Sequence, residues 1–270
     1  MIDIHIHVLP GVDDGVKSLD EAVACCRIAY ADGSRILIAT PHMKEGSYIN
    51  ELEDVRAAVR ELQERLDAER IGLRILPGSE VYFAPGLVEG IRERRIATLA
   101  DGLRYLLLEL PFQQHPVKLE ETIFGLKVAG ITPILAHPER IRYFQEDMDR
   151  LERMVRLGAL SQLTTTSLTG GFGRKVEQLS LEMVRRRLVH FLASDAHDRR
   201  NRPPVISAAA GRLARLIGEE EARKTIESNP AAVVSGEPIE TPEPLGSEEA
   251  IAGDSMLSRL WNRLTAKDRA

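Results

Sequence analysis

Residues 1–15 read MIDIHIHVLPGVDDG and place two histidines, His5 and His7, inside an apolar run that is typical of a buried β-strand. Because side chains alternate between the two faces of a strand, the imidazoles of His5 and His7 lie on the same face. Burying two imidazoles side by side costs free energy, so we expect the pair to serve a common purpose. The stretch therefore predicts the first strand of the fold and, at its end, part of a shared polar site.

Similar apolar runs recur along the chain and alternate with amphipathic helical segments. The predicted strands occupy residues 2–9, 35–42, 73–81, 104–110, 131–139, 159–168 and 189–197. The predicted helices occupy residues 18–33, 51–70, 118–130, 147–158 and 174–187. About seven β/α units with nearly continuous apolar strands predict an α/β fold whose parallel sheet closes, or nearly closes, into a barrel.

The composition of the 270-residue chain is that of an ordinary globular protein. A formal net charge of -5 argues against a general nucleic-acid-binding protein, which would usually be basic. The two cysteines, Cys25 and Cys26, are neighbours in a predicted helix, which favours free thiols in a reducing compartment. The chain starts without a secretory signal and contains no run approaching the roughly 20 apolar residues of a membrane span. We therefore expect a cytoplasmic protein without a transmembrane segment.

The character of the sequence changes after residue 236. Residues 237–255 are rich in Pro, Glu and Gly and lack apolar periodicity, which predicts a disordered acidic linker. Residues 256–270 predict a short amphipathic helix, with one apolar stripe formed by Met256, Leu257, Leu260, Trp261 and Leu264. We expect a domain over residues 1–236, followed by this linker and a helix that either folds back on the domain or contacts a partner or membrane surface.

Side chains that can bind metal ions stand at the ends of six predicted strands. They are His5 and His7, followed along the chain by His42, Glu80, Glu109, His137, and Asp195 with His197. In α/β barrels, functional groups collect at the carboxyl ends of the strands, so these side chains converge on one mouth. A single histidine at a strand end is more often structural, but five of the seven histidines occupy such ends. The joint pattern predicts a metal site.

The donor types indicate the chemistry of this site. Imidazoles and carboxylates without a thiolate suit manganese, iron or zinc, and the set is too large for one ion. Ions roughly 3.5 to 4 Å apart can hold a bridging hydroxide and bind both the attacked group and the leaving oxygen. Arg140 and Arg202 follow two of the strand ends and offer planar guanidinium groups for bidentate binding of phosphate oxygens. The pattern predicts hydrolysis of phosphate esters.

The motifs DIHIHVLPGVDDG, ATPH, GSEVYF, LLLELPF, AHPER and ASDAH resemble those of the polymerase and histidinol phosphatase (PHP) superfamily. More narrowly, they resemble its bacterial manganese-dependent protein-tyrosine phosphatase branch, which is linked to capsule and exopolysaccharide synthesis. The resemblance runs in order from residue 1 to about residue 235. It implies a distorted seven-stranded (βα)7 barrel with three divalent metal ions, with manganese expected and iron or zinc as alternatives.

The resemblance also implies how the ligands are divided. The first ion would be held by His5, His7, Glu80 and Asp195, the second by Glu80 as a bridge with Glu109 and His137, and the third by Asp14, His42 and His197. Asp13 adjoins Asp14, and the turn could present either carboxylate. Arg140 and Arg202 match the phosphate-binding arginines of the family, and Asp14, or a water that it orients, is the candidate proton donor.

The implied reaction is hydrolysis of phosphotyrosine by a metal-dependent phosphoric monoester hydrolase. Tyrosine has a pKa near 10, so its phenolate leaves more readily than an alkoxide. The expected substrate is the tyrosine-rich tail of a membrane-bound bacterial kinase, whose position would recruit the phosphatase to the inner membrane. A cysteine nucleophile is excluded because Ala31 and Asp32, rather than arginine, stand six residues after Cys25 and Cys26. The sequence leaves the oligomeric state open.

Three alternatives remain open on the sequence. A histidinol-phosphatase-like enzyme would use the same site on a small alkyl phosphate. A nuclease-type hydrolase would cleave DNA ends, although the acidic charge balance disfavours it. A metal-stabilised binding protein would dock to a kinase through residues 256–270 without useful catalysis.

Overall fold

The computed structural model describes residues 1–246, in which parallel strands alternate with helices in a mixed α/β fold. The strands are β1 (Ile2–Ile6), β2 (Ile36–Ala39), β3 (His42–Met43), β4 (Arg74–Pro77), β5 (Glu80–Tyr82), β6 (Tyr105–Glu109), β7 (Thr132–Ala136), β8 (Leu160–Thr164) and β9 (Phe191–Ala193). Each overlaps one of the predicted strand segments, and β3 and β5 extend one residue beyond theirs.

The helices are α1 (Leu19–Asp32), α2 (Leu52–Ala68), α3 (Leu87–Arg92), α4 (Leu119–Val128), α5 (Arg142–Glu146), α6 (Met148–Arg156), α7 (Thr165–Leu168), α8 (Arg174–Arg185), α9 (Ser207–Ile217), α10 (Glu219–Arg223) and α11 (Asn229–Ser235). Local chemistry sets the ends of α1: the Oγ of Ser18 accepts a hydrogen bond from Glu21 N at 3.3 Å, and Gly33 ends the helix with a φ of 106°. Among residues 1–246, no helix combines the length and apolar character that crossing a bilayer requires.

The described strands form two parallel sheets, in the orders β1-β2-β4 and β3-β5-β6-β7-β8-β9. Alternate residues of β6 pack on opposite faces of the sheet. Leu106 and Leu108 pack in a core that also contains the α4 residue Leu126, whereas Leu107 packs with Ile134 in a separate core. Burial on both faces explains why the strands read as nearly continuous apolar runs.

The expected distorted seven-stranded (βα)7 barrel, closed or nearly closed, is not confirmed. The second predicted strand divides into β2 and β3, and the third into β4 and β5. Pro41 lies in the first gap and has no N–H to donate to a strand ladder, while Gly78 lies in the second, where a Cβ would meet Ile38 Cγ2 at 2.8 Å. These interruptions separate the strands into two sheets, and residues 1–246 contain no closed barrel.

The two sheets approach each other where β1 ends. Asp195 N donates a hydrogen bond to the carbonyl of His5 at 2.8 Å, and His7 N donates to the carbonyl of Ala196 at 2.9 Å. These bonds hold the end of β1 against the segment that follows β9. They bring the first and last polar strand ends of the chain together.

Residues 237–246, which the sequence assigns to the linker, contact the preceding domain. The hydroxyl of Tyr105 donates to the carbonyl of Glu237 at 2.6 Å, and Leu245 N donates to the carbonyl of Arg186 at 3.0 Å. The rest of the predicted linker and the predicted C-terminal helix lie outside the described residues. The division of the chain after residue 236 therefore stays a prediction.

Candidate metal centre

The nine predicted ligands come together, although His42 and Glu80 begin the short strands β3 and β5 instead of ending a strand. They are His5 at the end of β1, His7 and Asp14 in the segment after it, His42 in β3, Glu80 in β5, Glu109 at the end of β6, His137 after β7, and Asp195 and His197 after β9. Three groups of these residues have ligand atoms within 4.8 Å of one another: His5, His7 and Glu80; His42, Glu80 and Glu109; and His7, Asp14, His42 and His197. The parallel topology thus gathers residues that are far apart in sequence.

Glu80 lies at the centre of the cluster. Its Oε2 is 3.3 Å from Nε2 of both His5 and His7 and 3.1 Å from Nδ1 of His42. Its Oε1 is 2.8 Å from Nε2 of His137. One buried carboxylate therefore faces four histidines, which is the arrangement expected of a group that bridges cations.

The structure distinguishes the two neighbouring aspartates of the first turn. Asp14 Oδ1 lies 3.4 Å from Nε2 of His42 and 3.4 Å from Nε2 of His197. These two hydrogen-bonding histidines hold the pKa of Asp14 well below its usual range. Asp13 is buried behind the cluster, with its Oδ2 2.8 Å from Nδ1 of His7. Asp14 is thus the carboxylate presented to the site, and Asp13 supports a histidine from outside it.

Asp195 connects the histidine cluster to both predicted arginines. Its Oδ1 is 3.4 Å from Nε2 of His5, while its Oδ2 accepts a hydrogen bond from Arg140 at 2.9 Å and forms an ion pair with Arg202. The Arg140 and Arg202 side chains are 23% and 22% exposed, so both guanidinium groups also reach solvent at the mouth. Positive groups that suit an oxyanion therefore adjoin the candidate metal ligands.

The electrostatics of the cluster favour bound positive charge. Burial disfavours ionisation of Glu80, but His5 and His137 hold the pKa of its carboxyl well below the usual range. Burial also disfavours protonation of His7, yet the carboxylates around it raise its pKa well above the usual range. Burial, together with the nearby Glu80, raises the pKa of Glu109 to about 7. The carboxylates thus favour positive charge on His7, whereas burial lowers the pKa of His137 and His197 and favours their neutral rings, the form in which histidine binds metal ions.

Unpaired donor atoms test whether the residues fit a metal. The buried atoms His42 Nδ1, Glu80 Oε2 and His137 Nδ1 have no partner in hydrogen-bonding geometry among the described residues, although Glu80 Oε2 is 3.1 to 3.3 Å from three imidazole nitrogens. Buried polar atoms are normally paired, because an unpaired one loses its interaction with water without compensation. All three residues are predicted ligands, and His42 and Glu80 also belong to the groups whose ligand atoms lie within 4.8 Å of one another. The nitrogen and oxygen donors, without a thiolate, fit manganese, iron or zinc.

Two polar residues that support the candidate ligands were not predicted from the sequence. Gln162 Oε1 lies 2.8 Å from Nδ1 of His5 and accepts a hydrogen bond from His137 N at 3.4 Å. Buried Glu139, two residues after His137, accepts a hydrogen bond from the hydroxyl of the α7 residue Ser167 at 2.6 Å. This bond connects the segment after β7 to α7. The sequence shows Gln162 only as an amide inside the mostly apolar run ALSQL, residues 159–163, and this pattern does not indicate which residue it contacts.

Three aromatic residues beside the cluster were not predicted from the sequence either. The ring of Phe112 stacks on His137 with centroids 5.5 Å apart, and that of Tyr48 stacks on His42 at 5.7 Å. Phe172 lies against Arg140, whose Cζ is 4.7 Å from the ring centroid. These rings therefore pack against His137, His42 and Arg140 at the edge of the polar cluster.

The two remaining histidines lie outside the three ligand groups. The ring of His115 packs edge-on against Tyr143 with centroids 5.0 Å apart. His190 is buried, and its Nδ1 accepts a hydrogen bond from Ser161 N at 3.0 Å. Both contacts are structural in kind.

Comparisons with known proteins identify the family of the chain. The family model of the capsular polysaccharide synthesis proteins CpsB/CapC matches residues 1–235. Tyrosine-protein phosphatase YwqE of Bacillus subtilis is 40% identical over 202 residues, which cover 75% of this chain and 79% of YwqE. Tyrosine-protein phosphatase CpsB of Streptococcus pneumoniae is 30% identical over 241 residues, which cover 87% of this chain and 98% of CpsB.

Solved structures extend the similarity to the fold. A structure from work on YwqE and CpsB, described there as metal-dependent tyrosine phosphatases, matches with a TM-score of 0.86 at 35% identity. The match covers 91% of this chain and 98% of the solved chain. The resemblance to the phosphatase branch of the PHP superfamily is confirmed. The chain belongs to the CpsB/CapC family.

Proposed function

We propose that this protein is a metal-dependent protein-tyrosine phosphatase. The observation that carries the proposal is the double role of Asp195, which faces His5 with one oxygen and two guanidinium groups with the other. This contact supports a phosphate-binding role for Arg140 and Arg202 beside the candidate metal cluster. The names of the family relatives support phosphotyrosine as the substrate.

The proposed centre holds three divalent ions, with manganese preferred over iron or zinc. The proposed ligands are His5, His7, Glu80 and Asp195 for the first ion, Glu80, Glu109 and His137 for the second, and Asp14, His42 and His197 for the third. The distances from Glu80 to four histidines support its role as a bridge. When bound, the ions would polarise the phosphoryl oxygens and lower the pKa of a coordinated water.

Arg140 and Arg202 are proposed to bind and orient the phosphoryl group. A guanidinium group has five N–H donors, and the contact with Asp195 leaves others of each arginine free for phosphate oxygens. Because Asp195 already fixes both groups, little reorganisation is needed when charge develops on the phosphoryl oxygens. Their positive charge would stabilise the negative charge on the phosphoryl oxygens in the transition state.

Departure of the tyrosine oxygen does not require a strong general acid in the protein. Phenolate is a better leaving group than an alkoxide because the phenol has a pKa near 10. Asp14 is half-exposed at the mouth and, because its pKa is lowered, is ionised at neutral pH, so its proposed role is to orient a water that delivers the proton. The reaction would consume one water and yield inorganic phosphate and a dephosphorylated tyrosine side chain on the substrate protein.

The two cysteines lie outside this chemistry. Both thiols are buried, and burial raises the pKa of Cys25 to about 12. A thiolate nucleophile is therefore disfavoured at neutral pH. This supports the metal-dependent route.

The proposed physiological substrate is the phosphotyrosine tail of a membrane-bound bacterial tyrosine kinase that regulates capsular or exopolysaccharide synthesis. The capsular polysaccharide synthesis family supports this assignment. The enzyme would act from the cytoplasm and reach the inner membrane through its partner. Its proposed catalytic unit is residues 1–236.

Substrate comparison tests the proposal. Manganese-loaded protein is assayed with a phosphotyrosine peptide, histidinol phosphate and an oligonucleotide under the same conditions. We expect the peptide to be hydrolysed with the highest kcat/KM. Preference for histidinol phosphate, or cleavage of the oligonucleotide alone, would contradict the proposal in favour of the corresponding alternative. The absence of all three activities in folded, metal-loaded protein would favour a binding protein.

A further inference from the structure

The loop after α7 holds an aromatic ring over both candidate phosphate-binding arginines. The ring centroid of Phe172 is 4.7 Å from Cζ of Arg140 and 5.9 Å from Cζ of Arg202. The side chain is half-buried, so part of the ring still faces the mouth. Phe172 therefore lies next to the position that a phosphate between these arginines would occupy.

Glycines fix the shape of this loop. Gly170 and Gly173 have φ values of 87° and 89°, a region that residues with a Cβ adopt only with strain. Gly171 N donates to the carbonyl of Thr166 at 2.9 Å, and a Cβ at Gly171 would meet Thr166 Cγ2 at 2.5 Å. The loop is thus packed closely on α7, which places Phe172 reproducibly.

A second ring approaches the same guanidinium group from a different element. The centroid of Phe112, just beyond β6, is 5.3 Å from Cζ of Arg140. Its ring lies nearly parallel to that of His137, at an interplanar angle of 11°, and its carbonyl accepts a hydrogen bond from Arg142 N at 2.9 Å. Phe112 is therefore held by a stacked neighbour and a backbone bond.

We propose that Phe112 and Phe172 form an aryl-binding slot that selects aromatic over alkyl phosphate esters. This inference rests on the proposed phosphatase function of the same site. A phosphate bound by Arg140 and Arg202 would direct its ester substituent past one or both rings. A phenyl ring would gain aromatic contacts there, whereas a short alkyl group would gain little. The slot thus selects the ring of phosphotyrosine independently of its better leaving group.

Binding of unreactive phosphonates separates the slot from the chemistry. Phenylphosphonate and methylphosphonate share a phosphonate group, but only the former carries an aromatic ring. Their dissociation constants are measured with manganese-loaded wild-type protein, Phe172→Ala and Phe172→Leu. We expect Phe172→Ala to weaken phenylphosphonate binding roughly tenfold and leave methylphosphonate binding unchanged, with Phe172→Leu intermediate. An equal loss for both ligands, or no loss for either, would overturn the slot.

Turnover supplies a second readout. In Phe172→Ala, the ratio of kcat/KM for a phosphotyrosine peptide to that for a phosphoserine peptide of the same sequence should fall roughly tenfold. Phe124→Ala removes a phenylalanine that is 65% exposed on α4 and should leave the ratio unchanged. An unchanged ratio in Phe172→Ala would contradict the inference. If wild-type protein hydrolyses neither peptide, the proposed function fails, and the phosphonate experiment still tests the slot.

Discussion

The carboxylate of Asp13 lies 2.8 Å from Nδ1 of His7, on the side of the imidazole away from the ligand cluster. The other ring nitrogen, Nε2, faces Glu80 at 3.3 Å. A carboxylate behind a histidine fixes the orientation and tautomer of the ring and increases the basicity of the opposite nitrogen. Asp13 also accepts a hydrogen bond from Gly15 N at 2.9 Å, so the whole first turn is organised around this contact.

Replacement of Asp13 should weaken metal binding without removing a proposed ligand. We expect Asp13→Asn to lower manganese affinity about 10- to 100-fold, because His7 loses the charged acceptor that orients it. Competition with a chelator of known affinity measures the change. Asp54→Asn, at an exposed position in α2, is the control. Equal affinities of the wild type and Asp13→Asn would contradict the role assigned to Asp13.

Gly15 is required for the close packing of this turn. A Cβ at this position would meet the carbonyl oxygen of His7 at 2.2 Å, which is backbone and cannot easily move aside. Gly15→Ala should therefore destabilise the fold by about 1–3 kcal/mol, as measured by urea unfolding. Gly125→Ala, in α4 with open space around its Cβ, should be neutral or stabilising by up to about 1 kcal/mol. The reverse order of stabilities would show that the turn relaxes freely.

Arg140 should be sensitive to a substitution that keeps its charge. Lysine cannot reproduce the planar fork that binds both Asp195 and phosphate oxygens. We expect Arg140→Lys to lower kcat/KM for a phosphotyrosine peptide roughly 100-fold. Arg60→Lys, at an exposed position in α2, should have no effect. Near-normal activity of Arg140→Lys would mean that a point charge suffices.

Buried His190 should make the protein less stable in acid. Burial lowers its pKa to about 4 from the ordinary 6.5, so the unfolded chain takes up a proton more readily than the folded one. Its contribution to stability is complete above the unfolded pKa and is lost progressively as pH falls towards the folded pKa. Between pH 7 and pH 5 this loss amounts to about 2 kcal/mol.

The variant His190→Asn isolates this contribution, because the Asn oxygen can still accept the hydrogen bond from Ser161 N. We expect the unfolding free energy of wild-type protein to fall about 2 kcal/mol more than that of the variant between pH 7 and pH 5. Acid effects on the metal cluster are common to both proteins and cancel in the difference. Parallel pH profiles would contradict the assignment.

The sequence predicts the strands and the convergence of their ends because apolar runs and parallel topology determine both. It does not predict that Pro41 and Gly78 divide two strands, because the break depends on how neighbouring strands pack around them. Nor does it determine which of Asp13 and Asp14 enters the cluster, since a turn can direct either side chain inward. The structure resolves that choice through the contacts of each carboxylate.

Contacts between distant residues were the least accessible to sequence reasoning. Gln162 and His5 are separated by 157 positions, and their hydrogen bond depends on the registers of several strands. Phe172 likewise lies in a glycine-rich loop whose composition predicts a turn without indicating that its ring covers Arg140. Such roles follow from tertiary packing alone.

The most direct test of the central claim is hydrolysis of a phosphotyrosine peptide by purified protein as isolated, after chelation, and after manganese is added back. We predict that activity disappears on chelation and returns with manganese, and that His42→Ala lacks it under all three conditions while remaining folded. Activity that survives complete metal removal, or that is normal in His42→Ala, would contradict a metal-dependent phosphatase centred on this cluster.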